Sequence, residues 1–167
     1  MTGRSQRGEV PQIPERPEPQ RARPSQPWAR SRAWPPPVDL DIEQRNGSFV
    51  RARIGAGQIT ACHDLSDGGL LVALTEMALA GSIGVEIEYT PKMPAHAWYF
   101  GEDQGRYLCA TCTPDDLLAE AKNLKVPAIL IGRTGGSTLN LPNGDTICLS
   151  GLRSAHERWL PEYMARM

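Results

Sequence analysis

The sequence predicts an α+β domain: a two-layer sandwich whose mixed sheet, built on a split β-α-β-β-α-β core, carries a hairpin and a C-terminal helix. Three observations lead there. From residue 59 onward the hydrophobic period switches between alternation and helical spacing in the order β-α-β-β-α-β, then a hairpin and a helix. Val85, Ile87 and Tyr89 alternate with Glu86 and Glu88, so one sheet face is wet and the helices are expected on the other. Composition is also split, because residues 1–37 hold nine of the 15 prolines and seven arginines against three acids.

That first stretch has only Val10 and Ile13 as branched aliphatics. It cannot bury enough apolar area to offset chain entropy, so 1–37 reads as a disordered Pro/Arg-rich segment and 38–167 as the folded domain. About 130 residues is the size of one ordinary domain. Frequent prolines forbid the amphipathic helix of a transit peptide, and no run approaches the ~18 apolar residues of a membrane span. The folded part carries more acids than bases, which argues against a nucleic-acid partner. With four cysteines and no secretory signal, a reduced, cytoplasmic setting is the default.

The elements follow in order. Asp39 or Asp41 caps a helix running to about Ile54, with Gly47 a weak point inside it. Ile59 to His63 is a short strand, and Asp64 to Gly69 a tight turn. Leu70, Leu71, Leu74, Met77 and Ala78 mark the clearest helix of the chain. A strand from Ile83 to Tyr89 and a loop with Pro91 and Pro94 lead to Phe100–Gly105 and then to a strand through Arg106–Cys112. Thr113-Pro114-Asp115-Asp116 is a helix start, with hydroxyl, proline and acids in the expected places. Ala128 to Gly132 is an apolar strand, and Thr138–Leu141 and Thr146–Leu149 form a hairpin across Pro142–Asp145. The last helix starts near Ser150 with Leu152, Ala155, Trp159, Leu160 and Tyr163 on one face, and Pro161 is expected to kink or end it.

Two segments hold more glycine and polar content than packing needs. In His63-Asp64-Leu65-Ser66-Asp67-Gly68-Gly69, the amides opening the next helix favour an anion. Asp64 and Asp67 would repel a bare phosphate by more than the ~0.3–1 kcal/mol of the helix dipole, so Mg²⁺ would have to bridge. The plainer reading is that Asp67 caps the helix while Gly68 and Gly69 permit close packing, and His63 is a hydrogen-bonded strand end. In Gly101-Glu102-Asp103-Gln104-Gly105-Arg106, the glycines allow backbone approach to a ligand and Arg106 could grip an oxyanion bidentately. Against that stands a solvated loop with Arg106 paired to Glu102.

Cys109 and Cys112 form a C-x-x-C pair, but side chains three apart on a strand point to opposite faces and no second pair completes a zinc set. They read as small buried residues. Gly132-Arg133-Thr134-Gly135-Gly136 lacks the Lys-Ser/Thr of a phosphate loop and reads as a turn. His96 and His156 have no partner near in sequence. No catalytic residue and no metal ligand is assigned.

His63–Leu70 ahead of a Leu/Ala-rich helix, Phe100-Gly101-Glu102-Asp103-Gln104-Gly105-Arg106-Tyr107, Ile131-Gly132-Arg133 and the closing Leu152–Tyr163 helix occur in one order and spacing. Over about residues 36–167 this set resembles the AIR-synthase-related C-terminal domain of the large subunit of phosphoribosylformylglycinamidine synthase. The resemblance implies a parent enzyme that uses ATP, Mg²⁺ and glutamine-derived ammonia to convert formylglycinamide ribonucleotide to its amidine in purine biosynthesis. It places the catalytic histidine and the magnesium carboxylates in domains not held here, so this chain is expected to be an inactive piece. The implied partners are those N-terminal domains, a glutamine amidotransferase subunit and a small subunit. It also implies phosphate or nucleotide proximity at Gly101, Glu102, Asp103, Gln104, Asp64 and Asp67, to which the reading above adds Gly68, Gly69 and Arg106. Many members have serine where this chain has Asp103, whose charge opposes direct phosphate contact. The alternative is a free-standing, non-catalytic binding or assembly module of the same fold.

Overall fold

The structure, a computed structural model, describes Glu9–Gln12 and residues 38–166. Along the chain lie β1 (Glu9–Gln12), α1 (Leu40–Gly55), β2 (Ala61–Asp64), α2 (Gly69–Gly81), β3 (Val85–Ile87) and α3 (Ala95–Phe100). They are followed by β4 (Tyr107–Ala110), α4 (Pro114–Asn123), β5 (Ile129–Thr134), β6 (Thr138–Asn140), β7 (Thr146–Cys148) and α5 (Leu149–Met164). Among the described residues these strands form one seven-stranded sheet, ordered β2-β4-β1-β5-β3-β6-β7. It is mixed: β3 and β6 run parallel, while the other neighbours are antiparallel.

The α+β class and the mixed sheet are as expected, and the structure adds a second helical layer. Adjacent strand residues point to opposite faces, and Leu108 and Cys109 of β4 enter different cores. Leu108 joins Leu70, Leu74 and Ala78 of α2, Trp98 of α3, Val85, Ile87, Ile131, Leu139 and Leu149. Cys109 joins Phe49 and Val50 of α1 and Leu117 and Ala121 of α4. Glu86 alone is exposed in β3, as its alternation requires.

Several local readings hold. The Asp39 carboxylate accepts from the Asp41 and Ile42 amides and caps α1. Gly47 is tolerated inside α1 because a Cβ there would stand 3.1 Å from the Tyr107 hydroxyl, so its absence lets β4 approach. Three readings change. Glu9–Gln12 form a strand between β4 and β5, where 1–37 had been expected to lack structure; the rest of that stretch lies outside the described residues. The composition argument concerns side-chain burial, whereas a strand slot open between two neighbours is filled through backbone hydrogen bonds. The loop after Pro94 is in fact helix α3, with Pro94 at its N-cap, so the proline starts a helix there. Pro161 does not end α5: it lies inside the helix, which runs on to Met164.

Candidate functional site

The Asp64–Gly69 turn and the Gly101–Arg106 loop meet to form one rim. Both flank the same strand pair: β2 runs into the turn, the loop runs into β4, and the Leu65 N–H donates to the Arg106 carbonyl at 3.0 Å. Across the rim the Gly68 N–H donates to the Glu102 carboxylate at 2.9 Å. Gly69, at φ +71°, packs so closely that a Cβ would lie 2.8 Å from the Phe100 carbonyl carbon. The glycine pair therefore does two jobs: a left-handed backbone, and room for the second loop.

Glu102 settles what caps α2. Its N-cap is Gly68, at φ +80°, with no side-chain cap of its own. Asp67 is exposed and is not the cap, contrary to one sequence reading. Glu102 reaches over from the loop and places a carboxylate where the helix start favours negative charge.

Arg106 also departs from expectation. It pairs with Asp103 at 3.4 Å, not with Glu102, and donates to the Gly101 carbonyl at 3.3 Å. Only 6% exposed, it lies over the Trp98 ring, 5.4 Å from its centroid. The guanidinium thus shapes its own loop from the inside; it is not offered outward as an oxyanion grip. Asn46, which the sequence reading passed over, clamps the loop's far end by donating to the Gly105 carbonyl at 3.0 Å. The available signal was an asparagine between apolar positions of α1.

His63 is held on both sides. Nδ1 lies 2.7 Å from the Asp64 carbonyl oxygen and Nε2 2.9 Å from the Glu76 carboxylate of α2. It fits the hydrogen-bonded strand-end role. Asp64, Asp67, Glu102 and Gln104 are exposed along the rim, and Asp103 is half-buried. Among the described residues no group of three or more His, Cys, Asp or Glu side chains could hold a metal.

Could this rim hold ATP and Mg²⁺ by itself? Glu102 already takes the position an anion would occupy at the α2 start, and Asp64, Asp67 and Asp103 along the rim are acids. The residues present do not fit a directly bound phosphate, and a bridging cation would need donors from elsewhere. The remaining glycine-rich turn, Gly132–Gly136, lies at the β5 end and pairs with Gly84 through backbone hydrogen bonds, well placed as a turn.

Comparison with known proteins identifies the family and the fold. The family model described as AIR synthase related protein, C-terminal domain, matches residues 26–140. The match begins ahead of the boundary expected at 38 and leaves β1 and α5 outside. Phosphoribosylformylglycinamidine synthase subunit PurL of Parvibaculum lavamentivorans is 53% identical over 138 residues, 80% of this chain. The same subunit of Rhodopseudomonas palustris strain HaA2 is 55% identical over 140 residues, 81% of this chain. The chain spans only 18–19% of the length of these relatives. Among solved structures, phosphoribosylformylglycinamidine synthase II of Thermotoga maritima matches with a TM-score of 0.66 at 15% identity, covering 88% of this chain and 26% of that one. A Thermotoga maritima PurL complexed with ATP matches with a TM-score of 0.61 at 15% identity, covering 89% and 26%. Among the described residues no helix is long and apolar enough to cross a membrane. The chain belongs to the family of AIR synthase related proteins, as their C-terminal domain.

Proposed function

We propose that this chain serves as the C-terminal domain of a phosphoribosylformylglycinamidine synthase and that its rim closes a phosphate or nucleotide pocket whose other walls belong to further domains. The observation that carries the reading is the joining of the two segments through Gly68, Gly69 and Glu102. In this reading Asp64, Asp67, Gly68, Gly69, Gly101, Glu102, Asp103 and Gln104 lie next to the nucleotide, with Arg106 holding their loop. The acids face a bound cation more readily than a phosphate, which suits a pocket where ATP arrives with Mg²⁺. A solved relative is complexed with ATP and another with FGAR, which supports the substrate class.

The chemistry proposed for the assembled protein is the ATP- and glutamine-dependent conversion of formylglycinamide ribonucleotide to its amidine, a ligase step of purine biosynthesis in the cytoplasm. Partners are the synthase's N-terminal domains, with amidotransferase and small subunits joining the complex. The test pairs this chain with the Parvibaculum lavamentivorans relative cut back to remove its matching segment. ATP-dependent amidine formation with ammonia is expected only in the mixture. Turnover by this chain alone would overturn the reading.

The binding or assembly alternative is favoured by one feature, the outward apolar face of α5. Trp159, Leu160, Tyr163 and Met164 are exposed, with Trp159 and Tyr163 stacked at 5.4 Å between centroids. Tight binding to the truncated relative without restored turnover would support that alternative.

A further inference from the structure

We propose that Cys62 and Cys109 form a redox modification site, a cross-strand dithiol that closes to a disulfide by exchange with a low-molecular-weight disulfide such as glutathione disulfide. The two residues are direct partners in the antiparallel β2/β4 ladder, with their sulfurs 3.7 Å apart. The Leu65 N–H to Arg106 carbonyl bond marks 65/106 as a hydrogen-bonded pair. Alternation along the ladder then makes Cys62/Cys109 a non-hydrogen-bonded pair, the kind whose Cα atoms approach to about 4.5 Å. That separation lies at the short end of the range a disulfide spans, so rotation of the side chains brings the sulfurs toward the bonded distance of about 2.05 Å.

The partners are unequal. Cys62 is half-buried and borders a shallow groove with Gly47, Val50, Arg51, Ile54 and Asp64 of α1 and the turn, so a small disulfide can reach it. Cys109 is buried, with its sulfur against that of Cys62. The hydrogen-bonding contact with Cys109 lowers the Cys62 pKa despite its partial burial, while the same contact and burial raise that of Cys109. This sets the order of events. The Cys62 thiolate attacks one sulfur of the small disulfide and expels one small thiolate, leaving a mixed disulfide. The Cys109 thiol then loses its proton to solvent, attacks the Cys62 sulfur and expels the second small thiol. Two protein thiols are oxidised by two electrons, and one small disulfide is reduced to two thiols.

A metal is not the better occupant. His63 points to the opposite face, toward Glu76, and among the described residues no third ligand joins the pair. Cys112 and Cys148 are exposed and have no sulfur contact with the pair.

The test uses the chain with Cys112→Ser and Cys148→Ser, incubated with glutathione disulfide. The expected product has lost two hydrogens in intact mass and both remaining thiols. Peptide mapping should join Cys62 to Cys109, and dithiothreitol should reverse the change. Adding Cys109→Ser should trap one glutathione on Cys62, whereas adding Cys62→Ser should leave Cys109 unreacted. A lasting glutathione adduct on the two-cysteine variant, a disulfide between two copies, or two unreacted thiols would overturn the proposal. Slower hydrogen exchange at residues 61–64 in the oxidised form is the second readout, and it depends on no activity.

Discussion

Helices α2 and α5 carry similar apolar stripes and meet different fates. In α2, Leu70, Ala73, Leu74 and Ala78 are buried, with Leu70 wholly inaccessible. In α5, only the first turns are held: Leu149 is buried, and Arg153 donates to the Leu79 carbonyl at 2.6 Å, satisfying the C-terminal end of α2. Beyond that the stripe faces solvent, and Trp159 is 66% exposed. Periodicity therefore states that a face wants covering and is silent on what covers it. The α2 stripe is served by this chain's own sheet. The outer α5 stripe has no cover among the described residues, which suits a domain that docks on others.

The comparison can be broken at several points. The largest effect is expected from Leu70→Ala, which should cost about 2–5 kcal/mol through a cavity in the core. Leu160→Ala should change stability by no more than about 0.5 kcal/mol. Urea unfolding of both variants measures the contrast, and equal losses would mean that α5 is packed in the isolated chain. Next in size is a pair of glycines with the same backbone. Gly57 at φ +72° has nothing near a new Cβ, so Gly57→Ala should cost only the left-handed strain of about 1–2 kcal/mol. Gly69→Ala adds a clash with the Phe100 backbone and should cost clearly more, and equal costs would show that turn and loop do not touch.

A smaller effect is expected at the rim itself. Glu102→Gln keeps a hydrogen-bonding side chain and removes the charge at the α2 start, costing about 0.3–1 kcal/mol and less in high salt. No salt dependence would mean that Glu102 does not cap α2. The smallest effect is expected in sizing chromatography, where Trp159→Ala with Tyr163→Ala should reduce concentration-dependent association of the isolated chain. An unchanged elution profile would leave the α5 face with no role in contact.

How much of this was legible in residue order depends on the range of the interaction. The α1 cap, narrowed to Asp39 or Asp41, the α2 stripe and the Asn143-Gly144 turn rest on neighbours a few positions apart, and the structure has all three, with Asp39 as the cap. The rim's two segments were legible as unusual, but their pairing partners were not. Arg106 to Asp103 instead of Glu102, and Glu102 instead of Asp67 on the α2 start, depend on how the loop folds back over the turn. Cys109 drew notice for its spacing from Cys112, while its real neighbour is Cys62, 47 positions earlier and fixed only by strand register. β1 was hidden by Pro11 and the proline-rich stretch around it, because filling a slot between two strands depends on those strands and not on local propensity.

The role proposed for the rim is to complete a pocket shared with other domains. Hydrogen exchange of this chain, alone and mixed with the truncated Parvibaculum lavamentivorans relative, tests it most directly when each state is measured with and without ATP and Mg²⁺. Mixing is expected to slow exchange in 64–69, 101–106 and α5, and nucleotide to slow the first two segments further only in the mixture. Exchange at the rim that responds to neither partner nor nucleotide would contradict it.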